Sequence, residues 1–216
     1  MTEGNDQVIA KSVDENGIVF RDYENDGVKW RHGKAPNYSK VDKTYLAGRK
    51  TILTADSLEL AVTKVVKNWE VESHHVPDHK QWKTMDISKF QAFSNDLNCP
   101  VDAETFAKTG SYNILLGKCP HFDSSQETFD SANTNFNTAF GEGFAWEVME
   151  VHAGPPNLSF TWRHWGKHVG EYRSSDGTVF KPTNKMVEFQ GHCLSRVNAD
   201  LVIESVELFW DKLGFL

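Results

Sequence analysis

The chain has 216 residues, with 23 Lys and Arg against 30 Asp and Glu and a formal charge of −7. That length suits one domain able to bury about 70% of its unfolded surface, and the negative balance argues against nucleic acid and anionic membranes as partners. Apolar residues (39%) and charged residues (25%) are those of an ordinary globular chain, but 7 Trp, 14 Phe and 5 Tyr form a heavy aromatic load that must fill a core or line an apolar cavity.

No apolar run approaches the roughly 18 residues of a membrane span, and the opening MTEGNDQVIAKSVDENG lacks a signal-peptide layout, so a cytoplasmic protein is expected. Cys99, Cys119 and Cys193 are odd in number and have no C-x-x-C spacing, which suggests neither a disulfide framework nor a zinc knuckle.

Residues 1–50 show no sustained period and read as an extended arm; residues 51–216 read as a single domain. A helix is expected after Asp56, with Glu59 completing a capping box and Leu58, Val62, Val65 and Trp69 forming its inner stripe. Continuing the steps of four and three places Glu72 on that stripe, before Pro77 ends the helix. Asp86 and Asp102 are plausible caps, and Ser111 to Leu116 turns onto another short helix. A helix over 125–140 is predicted, capped by Ser124 and Glu127, with Phe129, Ala132, Phe136 and Ala139 inside. The period then changes to strands at Phe144 to His152, Leu158 to Trp165, Val187 to Val197 and Val202 to Trp210. Helices first and antiparallel strands last is an α+β order, in which a curved sheet wraps helices and leaves a pocket between them.

Several segments carry a resemblance: Val28-Lys29-Trp30-Arg31-His32-Gly33 with Pro36 and Tyr38, Trp69 to His74, Gly110-Ser111-Tyr112-Asn113, Gly143 to Val148, and Ser159-Phe160-Thr161-Trp162-Arg163-His164-Trp165-Gly166. Over nearly the whole chain these resemble the plant-type pathogen-related protein family, within the SnoaL-like group of the nuclear-transport-factor-two-like superfamily. The resemblance implies a cone-shaped α+β barrel, a homodimer, and an interior for a small, mostly apolar or aromatic molecule, without nucleotide or flavin. Superfamily relatives such as ketosteroid isomerase and polyketide cyclases use side-chain acids and bases alone. It also makes Glu207, Trp210 and Asp211, near the end of the last strand, candidates for the pocket.

Proton transfer without a cofactor needs a base and an acid whose pKa values apolar walls push toward neutrality. Glu72 beside Trp69 is a candidate base, or else a buried carboxylate paired with Arg163 or Tyr112. His164 alternates onto one face with Phe160 and Trp162. Whether Gln190 and His192 face the cavity or solvent is undecided, because parity alone does not choose a face. Trp69, Tyr112, Trp146, Phe160, Trp162, Gln190, Glu207 and Trp210 are expected to contact the ligand, and Glu72, His164, His192 and Asp211 to supply chemistry. His74, His75, Asp78 and His79 fit no strong metal motif and read as a solvated helix end, so no metal is expected. No Gly-Lys-Ser/Thr loop, G-x-G-x-x-G turn or G-x-S-x-G elbow occurs, so no cofactor is expected. These readings point to a cofactor-independent lyase, isomerase or cyclase of secondary metabolism acting on a polyketide- or terpenoid-like molecule. The alternatives are a non-catalytic, stress-related binding protein with the same cavity and an interaction module that dimerises through its sheet.

Overall fold

Helices precede strands, as the change of apolar period requires, in a computed structural model that describes residues 27–95 and 99–212 together with Val19 and Arg21. The helices are α1 Ser39–Gly48, α2 Leu58–His75, α3 Ala103–Thr109, α4 Ser111–Leu116 and α5 Phe129–Ala139. The strands are β1 Gln91–Ser94, β2 Lys118–Cys119, β3 Phe122–Asp123, β4 Phe144–Ala153, β5 Asn157–Lys167, β6 Tyr172–Arg173, β7 Val179–Phe180, β8 Met186–Val197 and β9 Ile203–Trp210. The main sheet has the order β1-β9-β8-β5-β4 and is antiparallel except where β1 runs parallel to β9. The architecture is α+β, a curved sheet packed against helices. Register shifts between β4 and β5, at Val148/Glu150 and Val151/Ala153, mark irregularities of the kind that bend a strand.

Local chemistry explains the helix ends, with two differences from expectation. Ser57, not Asp56, caps α2, its hydroxyl accepting from the Leu60 N–H at 3.1 Å. The capping box of α5 is Thr128 with Ser131, because Ser124–Gln126 forms a separate 3₁₀ turn capped by Asp123. In both cases the short hydroxyl directly before the first helical residue wins over a competitor further upstream. Asp102 caps α3 as expected, through the Thr105 N–H at 2.8 Å. Gly110, at φ +88, makes the corner between α3 and α4, and a Cβ there would lie 2.6 Å from the Phe129 ring. The segment read as an extended arm contains α1.

The two faces of the sheet are both covered. One meets α2 to α5 across the main apolar core, which includes Phe90, Phe106, Phe136 and Phe160. On the other, α1 lays Tyr45 against Ala145 and Trp165, with Tyr45 and Trp165 ring centroids 6.2 Å apart. Beside them the buried Arg163 donates to Glu147 at 2.7 Å, to Glu188 at 3.0 Å and to the Gly48 carbonyl. Glu147 in turn accepts from the backbone N–H groups of Lys50 and Thr51, tying the chain after α1 to the sheet. Among the described residues no helix is long and apolar enough to cross a membrane.

Candidate functional site

The alternation of β5 sets the wall of the site. Leu158, Phe160, Trp162 and His164 face a cavity of about 500 Å³ enclosed by the sheet, α2, α4 and α5, while Arg163 and Trp165 turn to the α1 side. That volume lies within the range of small-molecule pockets. Register carries the wall across the sheet: His164 is paired with Trp146 on β4 and with Phe189 on β8. One row over, Val148, Trp162, Gly191 and Trp210 are aligned across four strands. Gly191 lets the Trp162 indole lie across the strand, since a Cβ there would meet that ring at 2.2 Å. Trp162 thereby comes within 6.4 Å of Trp210, centroid to centroid.

Opposite the sheet, α2 presents Val62, Val65, Val66, Trp69, Glu70, Ser73 and His74 to the cavity. From α4 and α5 come Ser111, Tyr112, Asn133 and Phe136, with the Tyr112 ring stacked on Phe136 at 4.0 Å. Pro36, Asn37, Tyr38, Lys40 and Val41 close a further side, and Lys40 Nζ reaches across to the Gly141 carbonyl at 2.9 Å. The described part of the N-terminal segment therefore contributes to the wall.

Two histidines in this wall have defined orientations. The Nδ1–H of His164 donates to the Ala145 carbonyl at 2.8 Å, and that of His74 to Asn133 Oδ1 at 3.0 Å. The Asn133 amide is itself oriented, because its Nδ2 donates to the Phe129 carbonyl at 2.8 Å. With Nδ1 the donor in both rings, each Nε2 carries a lone pair. Burial pushes His164 down to about 4 and lowers His74 from the ordinary imidazole value, the latter opposed by the charge of Glu70 one turn back on the same helix face. Both rings are neutral near pH 7. The ring of His74 meets that of Tyr112 edge-on at 5.6 Å, and burial, with Glu70 second, raises the Tyr112 pKa so that its hydroxyl stays protonated. A neutral base and a neutral acid thus stand side by side on an apolar wall.

Of the residues singled out by sequence, Trp69, Tyr112, Trp146, Phe160, Trp162, Trp210 and His164 line the cavity. Glu72, Gln190, His192, Glu207 and Asp211 do not. The Glu72 carboxylate is fully buried on the flank of α2 and binds neither Arg163 nor Tyr112; it accepts from the backbone N–H groups of Lys83 and Thr84 and from the Thr84 hydroxyl. A stripe stepped at 3.5 residues drifts about 20° per heptad against a 3.6-residue helix, so its continuation past Trp69 leaves the cavity face. Cys193 and Ser195 line the cavity, which turns Gln190 and His192 outward; Gln190 donates to Glu188 at 3.2 Å and His192 Nε2 lies 3.1 Å from Ser159 Oγ. Glu207 pairs in register with Leu194 on the outer side, and Asp211 follows the end of β9.

The cavity also holds Glu70, His74, His75 and Tyr38, which sequence reading did not assign to it. The helix end at His74 and His75 is not solvated: both are half-buried, and burial pushes His75 to about 3. Asp78 faces away to cap a 3₁₀ turn, accepting from the Lys80 N–H at 3.0 Å. His74 follows Glu70 by one helical turn, and both line the cavity.

No family profile matches the chain. A curated relative, the pathogen-related protein of Hordeum vulgare, is 32% identical over 216 residues, spanning 95% of this chain and 89% of its own length. Solved structures include IdmH of Streptomyces antibioticus, described as a candidate polyketide cyclase, at 12% identity over 71% of this chain and 94% of that one with a TM-score of 0.42. A candidate polyketide cyclase of Acidithiobacillus ferrooxidans is similar at 12% identity over 76% of this chain and 94% of its own, with a TM-score of 0.40. A candidate SnoaL-like polyketide cyclase of a Jannaschia species is similar at 18% identity over 76% and 92%, with a TM-score of 0.34. These structural likenesses are too slight to bear on activity. The sequence likeness is not: the chain belongs to the pathogen-related protein family.

Proposed function

We propose that the protein binds a small, mostly apolar molecule in this cavity and catalyses a cofactor-independent proton transfer on it, of the isomerase, lyase or cyclase kind. The observation that carries the reading is the adjacency of His74, with its Nε2 lone pair, and the protonated Tyr112 hydroxyl on a largely apolar wall that also carries Glu70. In this reading His74 takes the proton, and Glu70 favours the imidazolium that forms. Tyr112 donates to the oxygen on which charge develops. Phe160, Trp162 and Trp210 hold the apolar body of the substrate. His164, with a pKa of about 4, is a weak base near neutrality and serves as a hydrogen-bond acceptor.

A bicyclic enolisable ketone, 2-tetralone, tests this without knowledge of the natural substrate. Exchange of its α-protons in D₂O, followed by NMR, should run faster with protein than with buffer. His74→Gln and Tyr112→Phe should each remove about 10²-fold of the acceleration. If the ketone binds and exchanges no faster than in buffer, catalysis is refuted and a binding protein remains. The observation that favours this second reading is the His164 Nδ1–H bond to the Ala145 carbonyl, which leaves Nε2 as a fixed acceptor of the kind a binding site requires.

A further inference from the structure

The charges and lone pairs of the wall restrict the ligand more than its apolar area does. Glu70 and Lys40 are, respectively, the acidic and the basic side chain, histidines aside, that line the cavity among the described residues. Lys40 is exposed and donates to the Gly141 carbonyl, so solvent screens its charge from a ligand held inside. Glu70 lies on the α2 face between Trp69 and His74, and no described side chain bonds its carboxylate. A carboxylate or phosphate ligand would meet this like charge directly, whereas the nearby cations Arg21, Arg31 and Lys67 act from outside the cavity lining.

Lone pairs are gathered in the lining of the same cavity. Among the described residues no donor bonds the Nε2 atom of His74 or His164, and the His164 ring lies in the field of His74. Neither atom is among the sealed polar atoms of the wall, whereas the hydroxyls of Tyr38 and Ser111 and the indole nitrogens of Trp69 and Trp162 are sealed, each with less than 1 Å² accessible. The Glu70 carboxylate adds further acceptor oxygens, and the Tyr112 hydroxyl can accept as well as donate. Acceptors that lose water on binding must regain a donor, or the full desolvation cost remains.

We infer that the natural ligand is a neutral molecule with an apolar, ring-bearing body and at least one hydroxyl, alcoholic or phenolic, which donates to His74 or His164 Nε2, and that anionic analogues are rejected. The inference rests on the cavity being the ligand site, and it adds the ligand's charge and hydrogen-bonding sense. It assigns His164 a specificity-determining role separate from the proton transfer given to His74.

The test is a set of probes on one ring system: 2-naphthol, naphthalene, 2-methoxynaphthalene and 2-naphthoate, titrated into the full-length protein by calorimetry at pH 7.5. Naphthalene is smaller than the naphthol and the methyl ether larger, so size is bracketed. The expected result is that 2-naphthol binds about tenfold more tightly than naphthalene or the ether, a factor worth about 1.4 kcal/mol, and that 2-naphthoate binds more weakly than naphthalene. In His164→Phe the advantage of the naphthol over naphthalene should shrink to threefold or less; the comparison in the unaltered protein stands even where that variant fails to fold. Equal affinity for naphthol and ether overturns the donor requirement while leaving the cavity as a binding site. Tight binding of 2-naphthoate overturns the requirement for neutrality. Binding of none of the four refutes the cavity itself as the ligand site.

Discussion

His74 donates its Nδ1–H to Asn133 Oδ1 at 3.0 Å, and Asn133 has no freedom to turn its amide because Nδ2 donates to the Phe129 carbonyl. A residue at the end of α2 is thus set in tautomer and orientation by a residue one turn into α5. Packing brings the two helices together, and the orientation of one ring follows. His164 is held in the same way by the Ala145 carbonyl of the neighbouring strand. Each histidine is fixed by an acceptor that its own element does not supply, the arrangement a site needs if its lone pairs are to point at a ligand.

Stability should fall as the pH drops below about 6.5, the ordinary histidine value. His164 at about 4 and His75 at about 3, with His74 also lowered, stay neutral in the fold while the unfolded chain takes up protons. Wherever the unfolded state binds more protons, stability declines with falling pH, so the window runs from about 6.5 down through 4 and on to 3. Glu72 works in the opposite direction within the carboxylate range, because burial raises its pKa and the fold binds that proton more readily than the unfolded chain. Urea midpoints measured from pH 7.5 to pH 4.5 should decrease, and His164→Phe should flatten the decrease. A midpoint independent of pH across that range would show that these rings are not held neutral by the fold.

Glu72→Ala should cost roughly 2 to 4 kcal/mol of stability, because the backbone N–H groups of Lys83 and Thr84 lose their buried acceptor. Affinity for 2-naphthol should stay within about twofold, the carboxylate being outside the cavity wall. Paired denaturation and calorimetry decide it: lost binding in a variant of unchanged stability would return Glu72 to the ligand site.

Gly191→Ala should act on the cavity through Trp162. The new Cβ would stand 2.2 Å from the indole, so the ring must shift. Overpacking of this kind costs about 1 to 3 kcal/mol, and the displaced ring should take up ligand space and weaken every naphthalene probe alike. A variant with unchanged affinities would mean that Trp162 does not line the bound ligand.

Much of this was legible in the sequence, for identifiable reasons. The change from a helical to a two-residue period gave the α+β order, and the alternation of Leu158 to Trp165 put Phe160, Trp162 and His164 on one face. The parity of β8 was not legible, because Phe189 and Cys193 or Gln190 and His192 could equally face inward until the pairing with β5 is known. Strand β1 was missed because its four residues are fixed by parallel pairing to β9, far away in the chain. The role of His74 was missed because three neighbouring polar residues and Pro77 look like a frayed helix end. Only the burial of that end beneath Tyr38 and Tyr112 makes it a site.

The central claim, that two neutral histidines present Nε2 lone pairs to a ligand, is tested most directly by long-range ¹H–¹⁵N correlation of the histidine rings at pH 7. The predicted spectrum shows His74 and His164, assigned by His74→Gln and His164→Phe, as neutral Nδ1–H tautomers, with the Nε2 resonance of at least one shifting when 2-naphthol is added. Either ring found as imidazolium or as the Nε2–H tautomer, or both unmoved by a bound naphthol, would contradict it.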